Sequence, residues 1–337
     1  MMEWNKGYSA RYIMTLVNPD TWADYSEHEF TSGSISKSTD TTLVESASLS
    51  MTELVGAGEN YIRVYLEASQ TGDSARVPLF TGLTSTPERK LNGNLDTYSV
   101  TCYSVLKPVQ DIILPRGYYA PIGSGANLVK ELLSATPAPV EIEGTSPITT
   151  ENIVASDGDN RLEMISNILT AINWQMVIKG NGTIVLQEYP TEPEIRFGAN
   201  ENDCIEVSVT DTKDWFSCPN VLMCISENDG AATARDDDPD SELSTVSRGR
   251  EIWQCETGVT LSNSETIAAY AQRRLMELQE PSRTLSYTRR YFPDLVPGDV
   301  VTLNYPGQRL DGNFRITSQS ITLGYSCKTQ EEVTQIE

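Results

Sequence analysis

Helix and strand signals follow one another directly in the most informative stretch of the chain, Ser262–Leu303, which reads SNSETIAAYAQRRLMELQEPSRTLSYTRRYFPDLVPGDVVTL. Ser262 and Glu265 have the spacing of a capping box, which predicts the start of a helix. One apolar stripe then recurs at three- and four-residue intervals through Ile267, Tyr270, Ala271, Leu275 and Leu278. Pro281 cannot continue a helix, so we expect the helix to cover residues 263–279.

Two strands and a tight turn follow this helix. Residues 284–291 alternate between apolar and polar side chains, as a half-buried strand does. Pro297, Gly298 and Asp299 predict a turn, after which Val300 begins another strand. The stretch therefore predicts one helix packed against a β-sheet, and none of its loops has the features of a catalytic site.

Two segments of this stretch carry a resemblance to a known family. The segment A-x-x-R-L-M-E-L at Ala271–Leu278 and the segment P-D-L-V-P-G-D-V-V-T-L at Pro293–Leu303 resemble the C-terminal half of phage baseplate hub proteins. Related hubs occur in contractile injection machines. The resemblance is strongest over residues 205–330 and extends to the whole chain by the order of its elements.

The resemblance implies a structural role in the virion. It implies a homotrimeric ring at the tail tip, assembled in the host cytoplasm, that surrounds a channel through which DNA passes without specific binding. It further implies contacts with the tail tube protein, the distal tail protein and a spike or fibre protein, with the tape-measure protein as an additional candidate. In such hubs, two tube-like domains per chain give a trimer pseudo-six-fold symmetry, which matches a six-fold tail tube.

Four segments of different character predict the domain organisation. Strand-like alternation predicts a β-rich, tube-like domain over residues 1–106, and several prolines mark residues 107–155 as a connecting region with one short helix. Residues 156–200 predict a small domain of one helix and a β-hairpin. Residues 201–337 predict a second β-rich, tube-like domain that contains the helix 263–279. The predicted fold class is mainly β with an α+β middle, in which two antiparallel barrel or sandwich domains flank small helix-containing domains.

Two helix starts in the middle segments can be placed more closely. Asn127 predicts the N-cap of the short helix in the connecting region, which would run from Leu128 to Ala135. Either Asp159 or Asn160 predicts the cap of the helix in the following small domain.

The net charge of −22, from 47 acidic and 25 basic residues, limits the classes of partner. Binding to nucleic acid phosphates or to an anionic membrane needs clustered lysine and arginine, so we expect neither. The acidic residues can serve to keep the protein soluble. The resemblance implies a second explanation, in which an acidic channel wall repels the phosphate backbone of passing DNA. No stretch reaches the roughly 18 apolar residues of a membrane span, and the N-terminus lacks the apolar run of a signal peptide.

Six cysteines lie far apart, and most are found inside apolar, strand-like runs. A disulfide scaffold would be shorter and denser in cysteine, so the sequence predicts buried free thiols in a reducing compartment. These cysteines are Cys102, Cys204, Cys218, Cys224, Cys255 and Cys327.

No residue pattern predicts a catalytic, cofactor-binding or metal site. The single histidine, His28, has no glycine-flanked nucleophile beside it, and we expect it to be a solvated surface residue. Asp236, Asp238 and Asp240 have the spacing that begins a calcium loop, but Ser241 stands where such a loop needs glycine and Ser247 stands where it needs glutamate. We therefore expect residues 227–242 to form a solvated acidic segment at a subunit contact or a channel rim.

Two other functions remain open from the sequence. A receptor- or carbohydrate-binding β module would use exposed tryptophans as stacking platforms, whereas the hub interpretation favours burial of these side chains in the core. The tryptophans concerned are Trp22, Trp174, Trp215 and Trp253. A hydrolase with a pair of catalytic carboxylates is the third alternative, because an acidic chain offers many such pairs.

Overall fold

The computed structural model describes residues 2–39, 43–56, 58–92, 95–198, 202–226, 230–259, 266–279, 283–293 and 295–336. These residues form a mainly β structure, which confirms the predicted fold class. The chain divides into two compact units, Met1–Val209 with Ser286–Glu337 and Thr210–Leu285. The finer division into four domains stays a prediction. None of the described helices is both long and apolar enough to cross a membrane.

The N-terminal strands pair antiparallel and form the first β block. They are β1 (Ser9–Val17), β2 (Asp24–His28), β3 (Ser32–Ser38), β4 (Glu45–Met51), β5 (Tyr61–Gln70), β6 (Asp73–Thr84), β7 (Glu88–Asn92) and β8 (Leu95–Ser104). Neighbours follow the order β3-β4-β8-β6-β5-β1-β2, and β7 pairs with β8. Met14, Leu49, Leu66, Phe80 and Val100 are buried between them, because period-2 alternation turns these side chains to one face.

Short elements follow in the middle of the chain. They are α1 (Lys107–Gln110), β9 (Tyr119–Ala120), α2 (Gly125–Leu132), a 3₁₀ turn (Leu133–Ala135), β10 (Val140–Ile142), β11 (Ile153–Val154), α3 (Arg161–Ile172), β12 (Trp174–Ile178), β13 (Ile184–Glu188) and β14 (Ile195–Gly198). The predicted helix and hairpin of residues 156–200 are therefore present as α3, β12 and β13. Asn160 caps α3 in a reciprocal capping box with Glu163, which confirms one of the two predicted caps.

The helix α2 begins three residues before the predicted start. Asn127 was expected to be its N-cap, but Ser124 occupies that position and Asn127 lies inside the helix. The first amides of α2 find partners elsewhere, since the Gly125 N–H donates to the Pro147 carbonyl and the Ala126 N–H donates to Ser146 Oγ. A distant segment thus satisfies the donors that a local cap would have satisfied.

The turn between β12 and β13 packs on the first β block. Arg63 Nη2 donates to the Asn181 carbonyl at 2.9 Å, and Thr81 Oγ1 donates to the Gly180 carbonyl at 2.8 Å. A Cβ atom at Gly180 would overlap the Pro78 carbonyl oxygen, so only glycine fits this approach. The hairpin is therefore fixed on strands β5 and β6.

The unit Thr210–Leu285 is a small sheet covered by a helix. After β15 (Ile205–Lys213), which enters this unit, come β16 (Val221–Ser226), β17 (Gly230–Arg235), α4 (Thr245–Arg248), β18 (Trp253–Thr257) and α5 (Ile267–Leu278). The strand order is β17-β16-β18, with β16 and β18 parallel. Ala271 and Leu275 of α5 pack against Leu222, Cys224 and Ala234. The helix therefore lies on a sheet as predicted, but this sheet is built from β16 and β17, which precede the stretch that gave the prediction.

The start of α5 differs from the predicted start. Thr266 is the N-cap of α5, since its side chain accepts the Ala269 N–H. The predicted capping box of Ser262 and Glu265, and the predicted stop at Pro281, lie outside the described residues.

The C-terminal strands form the second β block. They are β19 (Arg283–Arg290), β20 (Val300–Tyr305), β21 (Leu310–Thr322) and β22 (Lys328–Ile336), with a 3₁₀ turn (Pro306–Gln308) after β20. The predicted turn before β20 is present, and Gly298 has a φ of 104° there. Strand β21 pairs antiparallel with β3, so the sheet runs in the order β19-β22-β21-β3-β4-β8 from one β block into the other. We call this β3–β21 pairing the seam.

Candidate interaction sites

A row of buried polar side chains crosses the sheet at the seam. Glu45 pairs in register with Lys37, Lys37 with Gln319, and Gln319 with Glu331. Arg289 continues the row through its contact with Glu331. Because directly opposite residues share one face of a sheet, the side chains of the first four lie on the same face, and Arg289 reaches that face through its contact with Glu331. Each of the five residues is at most 5% exposed, so the two β blocks meet through buried polar side chains.

The C-terminal half of this row is fully paired. Arg289 donates from Nε to Glu331 Oε2 at 2.7 Å and from Nη2 to Oε1, which gives a bidentate contact. Gln319 Nε2 donates to Glu331 Oε1 at 2.7 Å and to the Leu295 carbonyl at 3.1 Å. Burial lowers the pKa of Arg289, but the charge of Glu331 and its hydrogen bond raise that pKa by more. The Arg289 guanidinium therefore stays protonated inside the sheet.

The N-terminal half of the row is less well compensated. Lys37 Nζ lies 3.2 Å from Glu45 Oε2, and the Glu45 side chain is fully buried. Within the part of the chain that the structure describes, neither carboxylate oxygen of Glu45 accepts an aligned hydrogen bond. Burial raises the pKa of Glu45 to about 7, although the ammonium of Lys37 opposes the shift. The charge of this end of the row therefore changes near neutral pH.

A cavity of about 370 Å³ lies beside the row. Lys37 and Gln319 line it together with Asp299, Glu194 and Tyr291. Asp299 accepts the Val296 N–H at 2.8 Å, and burial raises the pKa of its carboxyl to about 7. A cavity of this polarity suits water, and its titratable groups make the region around the seam sensitive to pH.

The single histidine forms a pair with a serine on an exterior strand. His28 Nε2 lies 2.7 Å from Ser26 Oγ, and His28 is half-buried rather than fully solvated as expected. In the described residues no carboxylate contacts the other ring nitrogen, so the pair lacks the group that orients a catalytic histidine.

The six cysteines are free, as the sequence predicts. Cys102, Cys218, Cys224 and Cys327 are buried and Cys204 is half-buried, whereas Cys255 is exposed. The prediction of burial is therefore wrong for Cys255. It stands opposite Met223 on the face of β18 that α5 does not cover. Burial raises the pKa of both Cys102 and Cys327 to about 12.

The aspartates of the acidic segment form turns. Asp236 Oδ1 accepts the Asp238 N–H at 3.1 Å, and Asp238 Oδ1 accepts the Asp240 N–H at 2.9 Å. Among described residues, no three histidine, cysteine or acidic side chains converge as metal ligands. Residues 227–229 of the segment lie outside the description, and its role at a contact or rim stays a prediction.

The tryptophans divide into two groups. Trp174 is 2% exposed, which confirms its predicted place in the core, and Trp22 is half-buried with its Nε1–H donating to the Asn181 carbonyl. Trp215 and Trp253 are 56% and 55% exposed, so the prediction of burial is wrong for both. Trp253 lies on the open face of β18, and Trp215 precedes β16 in a loop, where alternation carries no information about burial.

Trp215 belongs to a group that we call the aromatic–arginine surface, formed by Trp215, Phe216, Arg248 and Arg250. The two rings meet edge to face with centroids 6.1 Å apart. The Arg250 guanidinium lies 4.1 Å from the centroid of Phe216, and that of Arg248 lies 5.9 Å from the centroid of Trp215. Cation–π stacking of this kind suits arginine better than lysine because the guanidinium is planar.

Backbone contacts fix the loop that carries these rings. Arg248 donates to the Phe216 carbonyl at 2.6 Å and to the Cys218 carbonyl at 2.8 Å. Arg250 donates to the same Phe216 carbonyl at 3.1 Å. The Asp214 carboxylate accepts the Phe216 N–H at 3.1 Å. These contacts order an exposed loop that has little apolar packing of its own.

A buried asparagine fixes the backbone that carries the two arginines. Asn220 is fully buried, and its Nδ2 donates to the carbonyls of Leu243 and Arg250 while its Oδ1 accepts the Ile252 N–H at 2.7 Å. Gly249, with a φ of 62°, ends α4 and turns the chain between the two arginines. No sequence pattern predicted this site, although Arg248-Gly249-Arg250 is a local signal for it.

The fold is that of phage tail proteins of known structure. The chain is similar to a tail protein from Neisseria meningitidis MC58, with 15% identity over 98% of this chain and 97% of that chain and a TM-score of 0.66. A second similar structure is the 43 kDa tail protein of prophage MuSo2 from Shewanella oneidensis, with 12% sequence identity over 98% of both chains and a TM-score of 0.67. A third is the prophage tail protein gp18 from Listeria monocytogenes EGD-e, with 15% sequence identity over 96% of this chain and 94% of that chain and a TM-score of 0.52.

Comparison at the level of sequence finds no match. No protein-family model matches the chain, and neither does any curated protein sequence. The likeness therefore lies in the three-dimensional structure, and it spans nearly the full length of each pair of chains. From end to end, this chain has the fold of phage tail proteins.

Proposed function

We propose that the chain is a structural hub protein of a phage tail tip or baseplate. In this role a trimeric ring joins the tail tube to the spike or fibre and surrounds the DNA channel. The observation that carries the proposal is the full-length likeness to phage tail proteins, which covers 98% of this chain. A shared fold does not determine function by itself. The continuous sheet across the seam and the net charge of −22 are therefore used as further support.

The seam supports a wall-forming role. It joins the two β blocks into one continuous sheet, and hydrogen-bonded strands resist separation along the sheet. Three copies with two β blocks each would present six similar surfaces around a bore, as the resemblance to hubs implies. The buried row through Lys37 and Gln319 keeps the two blocks in one register.

The charge fits a channel through which DNA slides. With a net charge of −22, each copy repels the phosphate backbone at short range. The proposal assigns no enzymatic activity, cofactor or resident metal to the chain. Its partners would be other copies, the tail tube protein, the distal tail protein and the spike or fibre protein, with the tape-measure protein as a further candidate, in a virion assembled in the host cytoplasm.

Deletion of the gene from its phage or prophage tests the proposal. We expect particles without a complete tail tip, restored when the chain is supplied from a plasmid, and immunogold label at the tip of complemented particles. Complete, infective tails in the deletion strain would contradict the proposal. Sedimentation velocity of the purified chain tests the trimer separately.

The exposed tryptophans favour a second candidate function. Trp215 and Trp253 present more than half of their surface to solvent, as stacking platforms for sugar rings do. The chain would then be a receptor- or carbohydrate-binding module of a tail. A glycan array separates the two functions, because a hub should show no sugar preference, whereas the module should bind specific glycans and lose them on Trp215→Ala substitution.

A further inference from the structure

The aromatic–arginine surface exposes apolar area that a free monomer would be expected to bury. Trp215 and Phe216 are adjacent in the chain and are 56% and 63% exposed. Single exposed apolar side chains are common, but two large neighbouring rings with arginines beside them have the composition of the centre of a protein interface. Tryptophan and arginine are also the residues that most often dominate binding energy.

This surface is ordered before any partner arrives. The Phe216 carbonyl accepts hydrogen bonds from both Arg248 and Arg250, and Asp214 holds the Phe216 N–H. Asn220 fixes the Arg250 carbonyl from the protein interior. A partner would therefore lose little conformational entropy in ordering this loop.

The two arginines differ from others in the same unit. Arg235 contacts Asp237 and Glu251, Arg274 contacts Glu256 and Glu277, and Arg283 contacts Asp211. Arg248 and Arg250 contact only backbone carbonyls and aromatic rings in the described part of the chain.

Most of their hydrogen-bond donors therefore remain available. A guanidinium has five N–H donors, of which Arg248 uses two and Arg250 uses one for these carbonyls. The others can form bidentate contacts with carboxylates. The complementary ligand for this surface is therefore an acidic protein surface that also covers the two rings.

A second copy of the chain has that chemistry. Each copy carries 47 acidic and 25 basic residues, so its exterior offers carboxylates in excess. Asp240 and Glu242 are exposed, and neither contacts a basic side chain in the described residues. Two copies that each carry a charge of −22 repel one another, and cations at their interface would reduce this repulsion.

We propose that the aromatic–arginine surface binds a second copy of this chain, with Trp215 and Phe216 as apolar anchors and with Arg248 and Arg250 contacting carboxylates of the neighbour. The proposal rests on the proposed function, in which identical copies assemble. Because the two rings and the two arginines would contact carboxylates of the neighbour rather than the same four side chains, the contact is head to tail, and such contacts close into a ring when the rotation between copies allows it.

Sedimentation velocity of the full chain over a range of concentrations tests the proposal. The variants Arg250→Glu and Trp215→Ser change exposed side chains, so the fold should survive, and circular dichroism checks this. Two controls make comparable changes elsewhere: Arg116→Glu, at a side chain 89% exposed, and the aromatic-to-serine change Tyr325→Ser, at a residue 92% exposed. A photo-crosslinking amino acid at position 216 identifies what covers the surface.

The proposal expects the two variants to weaken self-association about tenfold or more, with the controls within about twofold of the unchanged chain. It also expects crosslinks from position 216 to acidic segments of a second copy. Assembly that is equally strong in all variants, or a chain that stays monomeric at every concentration, would overturn it. The tail-tip role would then still be decided by the deletion strain, and crosslinking inside particles would show whether another tail protein is the occupant.

Discussion

Gln319 lies directly opposite Lys37 in the antiparallel pair of β21 and β3, although 282 positions separate them in the chain. Through this one pair, the polar row of the C-terminal β block meets that of the N-terminal block. Buried polar groups stabilise little when compared with apolar packing, but they penalise every register in which they lose their partners. The contact therefore favours one alignment of the two blocks.

Removal of one member of the buried ion pair should be costly. Glu331→Leu leaves the Arg289 guanidinium buried without its carboxylate, and we expect a loss of about 3–5 kcal/mol in the free energy of unfolding. The double variant Arg289→Met with Glu331→Leu replaces both charges and should lose much less. Urea unfolding measures both variants. Equal losses in the single and double variants would show that the unpaired charge is not the cause.

The raised pKa of Glu45 should make the free energy of unfolding depend on pH. Its carboxyl has a pKa of about 7 in the fold against 4.5 for its ordinary value, so the folded state binds a proton more tightly than the unfolded state. The resulting stabilisation is fully present below pH 4.5 and is lost as the pH rises to about 7, on the order of 3 kcal/mol. Asp299, whose pKa is raised from 3.8 to about 7, contributes with the same sign.

Urea unfolding at several pH values between 5 and 8 checks this dependence. Glu45→Gln imitates the protonated carboxyl, so its stability should fall less steeply with rising pH than that of the unchanged chain. Glu332→Gln, at an exposed neighbour of the row, is the control and should keep the original slope. A slope that Glu45→Gln does not alter would refute the assignment.

The cap of α3 should be worth a measurable amount. Asn160 accepts the Leu162 and Glu163 N–H groups, and Glu163 accepts the Asn160 N–H in return. Asn160→Ala should therefore lower the free energy of unfolding by about 1 kcal/mol. Asn127→Ala, inside α2 and without a capping role, should have a smaller effect. Chemical denaturation of the two variants compares them, and the reverse order would contradict the observed helix starts.

Thiol labelling should distinguish one cysteine from the others. Cys255 is exposed, whereas burial raises the pKa of Cys102 and Cys327 and limits access to them. We expect one fast-reacting thiol in the native chain, and Cys255→Ser should remove that fast phase. Mass spectrometry of briefly alkylated protein identifies the site. Fast labelling of Cys102 would contradict the observed packing of the first β block.

Local signals in the sequence predicted those elements whose causes are local. The α5 stripe through Ala271 and Leu275 and the tight turn at Gly180 follow from spacing and from backbone preferences within a few residues. The start of α2 was missed because Ser146 and Pro147, about twenty residues away, supply the partners of its first amides.

The two interaction sites depend on contacts that spacing does not report. The row at the seam joins Lys37, Gln319 and Glu331 from distant strands, and its only local signal was a polar residue in line with buried apolar neighbours such as Ile35. Exposure of Trp215 depends on what packs against its loop. The residue type alone predicts that Trp215 lies in the core, since large aromatic side chains are usually well buried.

Cryo-electron microscopy of intact tail particles is the decisive experiment for the tail-tip hub, because it shows both the number of copies and their place. We expect three copies of the chain at the tail tip, arranged around an axial bore with both β blocks of each copy in the wall. A reconstruction in which the chain is absent from the tip, or lies away from the axis as a peripheral appendage, would contradict it.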